Sequence, residues 1–146
     1  MKSIKNIAIA VCLLSSTACT VFKRSSAEPQ GTSTITDKRW KLVDLGGKPV
    51  ADSVNGKEPF LLLQTQDSRY SASGGCNGIG GTYVLPGNDR IKFSQGMSTK
   101  MACENMEVEN ELTKALVAAD NYTLKGDSLS LNKARMAPLA RFKAVQ

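Results

Sequence analysis

The sequence predicts a mainly β domain: a small barrel-like or strongly curled antiparallel sheet of about eight strands, with one α-helix over about residues 106–119. Three observations carry that prediction. Beyond residue 39 the chain consists of short segments in which apolar and polar residues alternate, the period of half-buried strands. Turn residues separate these segments, at Gly46-Gly47, Asp67-Ser68, Pro86-Gly87-Asn88-Asp89 and Gly126-Asp127. One segment has the other period, because Val108, Leu112, Ala115, Leu116 and Ala119 make a helical stripe. Short strands with one apolar face each leave sheet edges open unless the sheet curls closed, which favours a barrel.

Each element has its own justification. Trp40 and Leu42 share one face of a strand over residues 40–45, which Gly46-Gly47 ends. Pro59 precedes a strand over 60–65 that is apolar on both faces, and Asp67-Ser68 turns it into another over 69–73. Strands near 81–85 and 90–94 flank the Pro-Gly-Asn-Asp turn, with Ile91 and Phe93 on one face and Lys92 and Ser94 on the other. Beyond the helix, strands over 122–125 and 128–131 flank Gly126-Asp127, whose glycine can take a positive φ, and residues 139–145 give the last strand. Glu107, Glu109 and Glu111 crowd the first helical turns, where negative charge meets the positive end of the helix dipole, and they read as a solvated helix start. The stripe must cover apolar sheet or plug a barrel end; the plug is the preferred arrangement.

The first residues read as an address. Lys2 and Lys5 form a basic region, residues 7–14 an apolar run, and small residues lead to Cys19. That run is too short for a bilayer, which needs about 20 residues, and the pattern over residues 1–18 is a secretory signal peptide. Ser16-Thr17-Ala18-Cys19 is similar to a bacterial lipoprotein box, which would make Cys19 the lipid attachment site, with Thr20 favouring the outer membrane; Ser16 stands where leucine is usual, so plain cleavage near Ala18 is the alternative. Residues 19–38, rich in Ser, Thr, Pro and Gly, read as a flexible tether with a coil dimension of roughly 25 Å, leaving the domain at 39–146.

Composition excludes a good deal. The chain has 146 residues and no histidine, so triads, Cys/His dyads and histidine-ligated zinc are out. Removing residues 1–18 lowers the formal charge from +6 to +4, and the remaining charge is uneven: 44–120 is slightly acidic, while 121–146 carries Lys125, Lys133, Arg135, Arg141 and Lys143 against Asp127 alone. Lys23, Arg24, Lys38, Arg39 and Lys41 lie near the presumed anchor, where anionic headgroups would attract them. No basic block interleaved with aromatics points to nucleic acid.

Several motifs together carry a family resemblance. Trp40-x-Leu42, Gly75-Cys76-Asn77, Gly81-x-Tyr83, Met97-Ser98-Thr99-x-Met101-Ala102-Cys103, Gly126-Asp127-x-Leu129-x-Leu131 and Leu139-x-Arg141-Phe142 resemble the META domain, the HslJ-like family of bacterial envelope proteins, over about residues 38–144. The resemblance implies a compact, mostly β fold with one helix, often carried on lipoproteins associated with heat or envelope stress. It implies no enzyme, and it carries no catalytic residue or cofactor onto this chain.

The residues themselves add candidates. In an oxidising compartment Cys76 and Cys103 form a disulfide or, in the rival reading, stay as two buried thiols. The glycine-rich run over 74–81 lacks the Lys-Ser/Thr of a phosphate loop and reads as a strand connection, with Asn77 as the first choice for an exposed recognition residue and Thr99 and Arg141 beside it as candidates. Met97, Met101, Met106 and the two cysteines make a soft-ligand set for Cu(I), but methionine in a β domain is more often core filler, so no metal site is assigned. Three functions follow: a tethered, stress-associated binding or protective module contacting a protein or small apolar ligand; an assembly or inhibitor lipoprotein acting on a protein partner; and, remotely, an enzyme using Asp67, Asp89 or Glu104.

Overall fold

Strand alternation decides which side chains point inward. In the computed structural model, which describes residues 34–145, β1 (Arg39–Leu45) buries Trp40 and Leu42 completely and turns Arg39 and Lys41 outward. The same rule runs through β3 (Phe60–Gln64), β4 (Arg69–Ser73), β6 (Arg90–Phe93) and, as far as Tyr83, β5 (Gly78–Gly87), whose last four residues are exposed. It continues in β8 (Asn121–Lys125), β9 (Ser128–Asn132) and β10 (Ala140–Ala144). Two short strands are accessories: β2 (Lys48–Pro49) pairs only with β1, and β7 (Met97–Ser98) only with β5.

These strands follow the order β10-β9-β8-β6-β5-β4-β3-β1, and β10 pairs back onto β1, with Trp40 opposite Ala144 and Leu42 opposite Phe142. All pairings are antiparallel, so the sheet is a closed barrel of eight strands without a free edge in the ring. The thinnest seam is β6 to β8, where Arg90 faces Asn121 and the Tyr122 N–H donates to the Asp89 carbonyl at 2.8 Å. Here α1 (Glu107–Ala118) interrupts the run of strands.

The expected hairpin turns form as their chemistry requires. Asn88 and Asp89 both have positive φ, 51° and 56°, between β5 and β6. Gly126, at 54°, joins β8 to β9. Inside the barrel, Leu61, Leu63, Ile91, Leu129, Leu131 and Phe142 are essentially inaccessible, and Tyr70 packs edge-on to Phe93 with centroids 5.1 Å apart. The helix buries Leu112, Ala115 and Leu116 into the same core. Glu109 on the helix lies against Gly74, just past β4, and Val108 and Ala115 share a cleft with Leu45 at the end of β1, so the stripe covers apolar core at the end where those two strands finish.

Two expectations need correction. The boundary at residue 39 is too late: Ile35 is buried in the core, its carbonyl accepts the Trp40 indole N–H at 2.8 Å, and Asp37 accepts hydrogen bonds from the Thr65 backbone and hydroxyl. A buried indole N–H must find an acceptor, and the chain just before β1 supplies it. The core is drawn from Ile35 to Phe142, so the unit beyond residue 33 contains its own interior. Glu109 is the second correction; it is buried, unlike the exposed Glu107 and Glu111. The signal peptide, Cys19 and the tether up to residue 33 lie outside the described residues.

Candidate functional site

The glycine-cysteine-asparagine motif follows β4, and its backbone explains its composition. Gly74 lies so close to α1 that a Cβ there would stand 2.3 Å from the Glu109 Cα. Gly75 has φ +110°, beyond the ordinary range of side-chain-bearing residues, and a Cβ there would meet the Val54 carbonyl at 2.5 Å. Cys76 is bridged to Cys103 with Cα atoms 6.0 Å apart, which selects the disulfide over the two-thiol reading. The bridge also removes both sulfurs from the soft-ligand set, whose Met97 and Met101 are exposed.

Asn77 is not an exposed recognition residue. It is 2 % accessible and every polar atom of its side chain is used. Its Nδ2 donates to Glu109 Oε1 at 2.8 Å and to the Met101 carbonyl at 3.1 Å. Its Oδ1 accepts the Thr99 hydroxyl and the Met101 N–H, both at 2.8 Å. The second Glu109 oxygen accepts the Asn77 backbone N–H. A buried amide is tolerated only with its donors and acceptors satisfied, and Glu109 on the helix and residues 99–101 supply what the local backbone cannot. Asn77, Thr99, Cys76, Cys103 and Glu109 therefore form one internal clamp that ties the β4–β5 connection, the segment after β7 and the helix together.

Arg141 does not join them. It projects from β10 on the outside of the barrel, about half exposed, and pairs with Asp44 at 3.3 Å. The acidic candidates are also dispersed: Asp67 and Asp89 occupy turns with positive φ, and Glu104 precedes the helix. Among ionisable groups, hydrogen bonding from Thr65 holds Asp37 below the usual carboxylate range, and burial raises Tyr70 and Tyr83.

Among the described residues, two clefts on the outer surface stand out. The first, about 470 Å³, lies between the β1–β2 turn and α1. Leu45, Val50, Val108, Ala115 and Leu139 give it an apolar floor, with Glu107, Glu111 and Lys48 at its rim. The second, about 410 Å³, lies over β8, β9 and β10, with Lys125, Ser128, Ser130 and Arg141 among its lining. The sequence reading missed the first cleft, because its apolar residues come from three separate segments and no local period marks them. Glu109 was missed for a different reason: a first-turn carboxylate already has a sufficient local explanation.

Comparison with known proteins agrees with this architecture. Among solved structures, an NMR structure of a protein shares 22% identity over 75% of this chain and 90% of its own, with a TM-score of 0.59. An NMR structure of a protein from Burkholderia xenovorans gives 22% identity, 76% and 83% coverage and 0.59. A crystal structure of a DUF4847 family protein from Bacteroides vulgatus ATCC 8482 gives 18%, 75% and 93%, and 0.55. At these identities the likeness speaks for the fold. No curated protein sequence matches the chain. The META domain profile matches residues 33–146, beginning just before Ile35 where the core begins, and the chain belongs to the META domain family.

Proposed function

We propose that the chain is a non-catalytic lipoprotein of the bacterial cell envelope, held by a lipid on Cys19 at the outer membrane and facing the periplasm, that serves as a stress-associated binding module. The observation that supports this reading is the filled barrel. An eight-stranded barrel has room for side chains or for one small ligand, and here Trp40, Leu42, Leu61, Leu63 and Phe142 occupy it. Recognition then falls to the outer surface, where the cleft beside α1 has an apolar floor and a charged rim. A module that binds through its surface gains from being held near its partners, which the N-terminal pattern would provide.

The cleft is open along one side, and that favours a second reading in which a segment of a protein partner, rather than a small apolar ligand, lies in it as part of an assembly or inhibitor role. A photocrosslinking amino acid at Glu111, on the cleft rim, and another at Lys92, on β6, test the reading in cells under envelope stress. The expected result is a discrete adduct from position 111 that Val50→Arg abolishes. Equal adducts from both positions, or none from 111, would defeat it. Fractionation tests the anchor separately, with Cys19→Ala expected to release the protein from the membrane fraction.

A further inference from the structure

Neither the clamp nor the cleft beside α1 uses the outer face of β8, β9, β10 and β1. Strand register arranges this face in rows. In one row Lys125 faces Ser128, Ser128 faces Lys143, and Lys143 faces Lys41. In the next, Thr123, Ser130, Arg141 and Asp44 follow in the same order. Neighbouring strands lie about 4.8 Å apart, so Lys125 and Lys143 stand about 10 Å from each other at their backbones.

Like charges directly opposite across strands are destabilising, yet Lys143 faces Lys41. Lys41 is answered by Asp52 at 2.7 Å and Glu58 at 3.9 Å, and Arg141 by Asp44. Among the described residues, Lys125 and Lys143 have no carboxylate at ion-pair distance. Beside them lies the cleft of about 410 Å³, whose lining includes the hydroxyl-bearing Thr123, Ser128 and Ser130. Neither row carries an aromatic ring on which a sugar would stack.

We infer that this face docks on an anionic phospholipid surface, with Lys125 and Lys143 entering the headgroup layer and the hydroxyls donating to phosphate oxygens. Position supports the choice of partner. The Val145 N–H donates to the Arg39 carbonyl at 2.9 Å and the Ala144 N–H to Asp127 at 2.9 Å, so the Gly126-Asp127 turn lies at the end where the chain enters β1. A tether of roughly 25 Å on the N-terminal side would keep that end, and the basic rows beside it, within reach of the membrane. The inference rests on the proposed envelope tether for its access to a membrane, and its test does not use the lipid.

The chain from residue 20 onward keeps the whole barrel and lacks the anchor cysteine, and its sedimentation with vesicles gives the measurement. Binding is expected to phosphatidylcholine vesicles containing a quarter phosphatidylglycerol and not to phosphatidylcholine alone. A lysine near such a surface contributes about fivefold in partitioning, so Lys125→Gln with Lys143→Gln should weaken binding about 25-fold. Lys92→Gln with Lys100→Gln makes the same charge change elsewhere and should cost less than about twofold. Unchanged urea midpoints show that the variants fold. Equal binding to neutral vesicles, equal losses from the two double variants, or sedimentation with purified cell-wall sacculi in place of vesicles would overturn the inference. Failure here with Cys19 acylated leaves the tether standing; vesicle binding without acylation removes the tether alone.

Discussion

Replacing Glu109 with glutamine keeps its size and removes one acceptor, which makes it the sharpest probe of the clamp. The two carboxyl oxygens take different donors, the backbone N–H and the side-chain Nδ2 of Asn77. Glutamine offers one oxygen and an NH2 group. Whichever way the amide is turned, an NH2 faces a donor of Asn77 inside a region that water does not reach, since Asn77 and Glu109 are 2 % and 5 % accessible. A buried donor left without its acceptor costs about 1–3 kcal/mol, so Glu109→Gln should lose about 2 kcal/mol. Glu109→Leu strands both donors and should lose about twice that.

Urea denaturation of the oxidised chain from residue 20 onward gives the assay, because Trp40 is the single tryptophan and is fully buried. With a slope of about 1–1.5 kcal/mol per molar urea for a domain of this size, the Glu109→Gln midpoint should fall by about 1.5 M. In the double-mutant cycle with Asn77→Ala, the two losses should fall short of additivity by about 1–3 kcal/mol, since they break the same contacts. A Glu109→Gln variant within about 0.5 kcal/mol of the parent would refute the reasoning and make Glu109 an incidental burial.

Three further outcomes follow from the same structure. The oxidised protein should resist alkylation at Cys76 and Cys103 until reductant is added and then gain two labels; reduction should lower stability by roughly 3 kcal/mol for a loop of this length, read from the shift in urea midpoint. Ile35→Ala should cost about 2–4 kcal/mol, and a chain starting at residue 39 should melt well below one starting at residue 33, by calorimetry. Asp120 is held below its ordinary value of 3.8 by hydrogen bonds from the Ala134 backbone and then the Asn121 side chain. Its unfolded form takes up a proton first, so its contribution is present above pH 3.8 and lost as pH falls through the lower folded value. Asp120→Asn should therefore flatten the fall in stability below that pH, as measured by urea midpoints across an acid series.

The strands were legible because each obeys a local rule. A period of two sets the inward face of β1, β6, β9 and β10, and turn chemistry sets the hairpins at Asn88-Asp89 and Gly126. Closure was legible only as a tendency, since pairing of β1 with β10 joins residues a hundred positions apart and leaves no local mark. The segment over 34–38 reads as linker because its composition is polar; its one apolar residue, Ile35, and the indole hydrogen bond give it a place in the core. Asn77 was misread for a related reason. In a glycine-rich run a polar residue suits an exposed turn, and its burial depends on Glu109, 32 positions along the chain.

The burial of Asn77 against Glu109 moves any ligand contact away from the family motifs. Asn77, Cys76, Cys103 and Thr99 fall within the motifs that carry the family resemblance, and the structure uses all four to hold one end of the barrel closed over α1. Arg141, the remaining candidate, has a structural partner in Asp44. Side chains already engaged in an internal clamp have few bonds left for a ligand, so these motifs specify how the domain folds more than what it meets. Residues without such duties are the better guide. Among the described residues, Lys125 and Lys143 have no carboxylate at ion-pair distance, and Val50 and Val108 line an apolar-floored cleft. These two surfaces use different elements of the same scaffold, one β8, β9 and β10 and the other the β1–β2 turn and α1. The basic rows and the apolar cleft are therefore separable by mutation, and the membrane docking proposed for one can be tested without disturbing the partner contact proposed for the other.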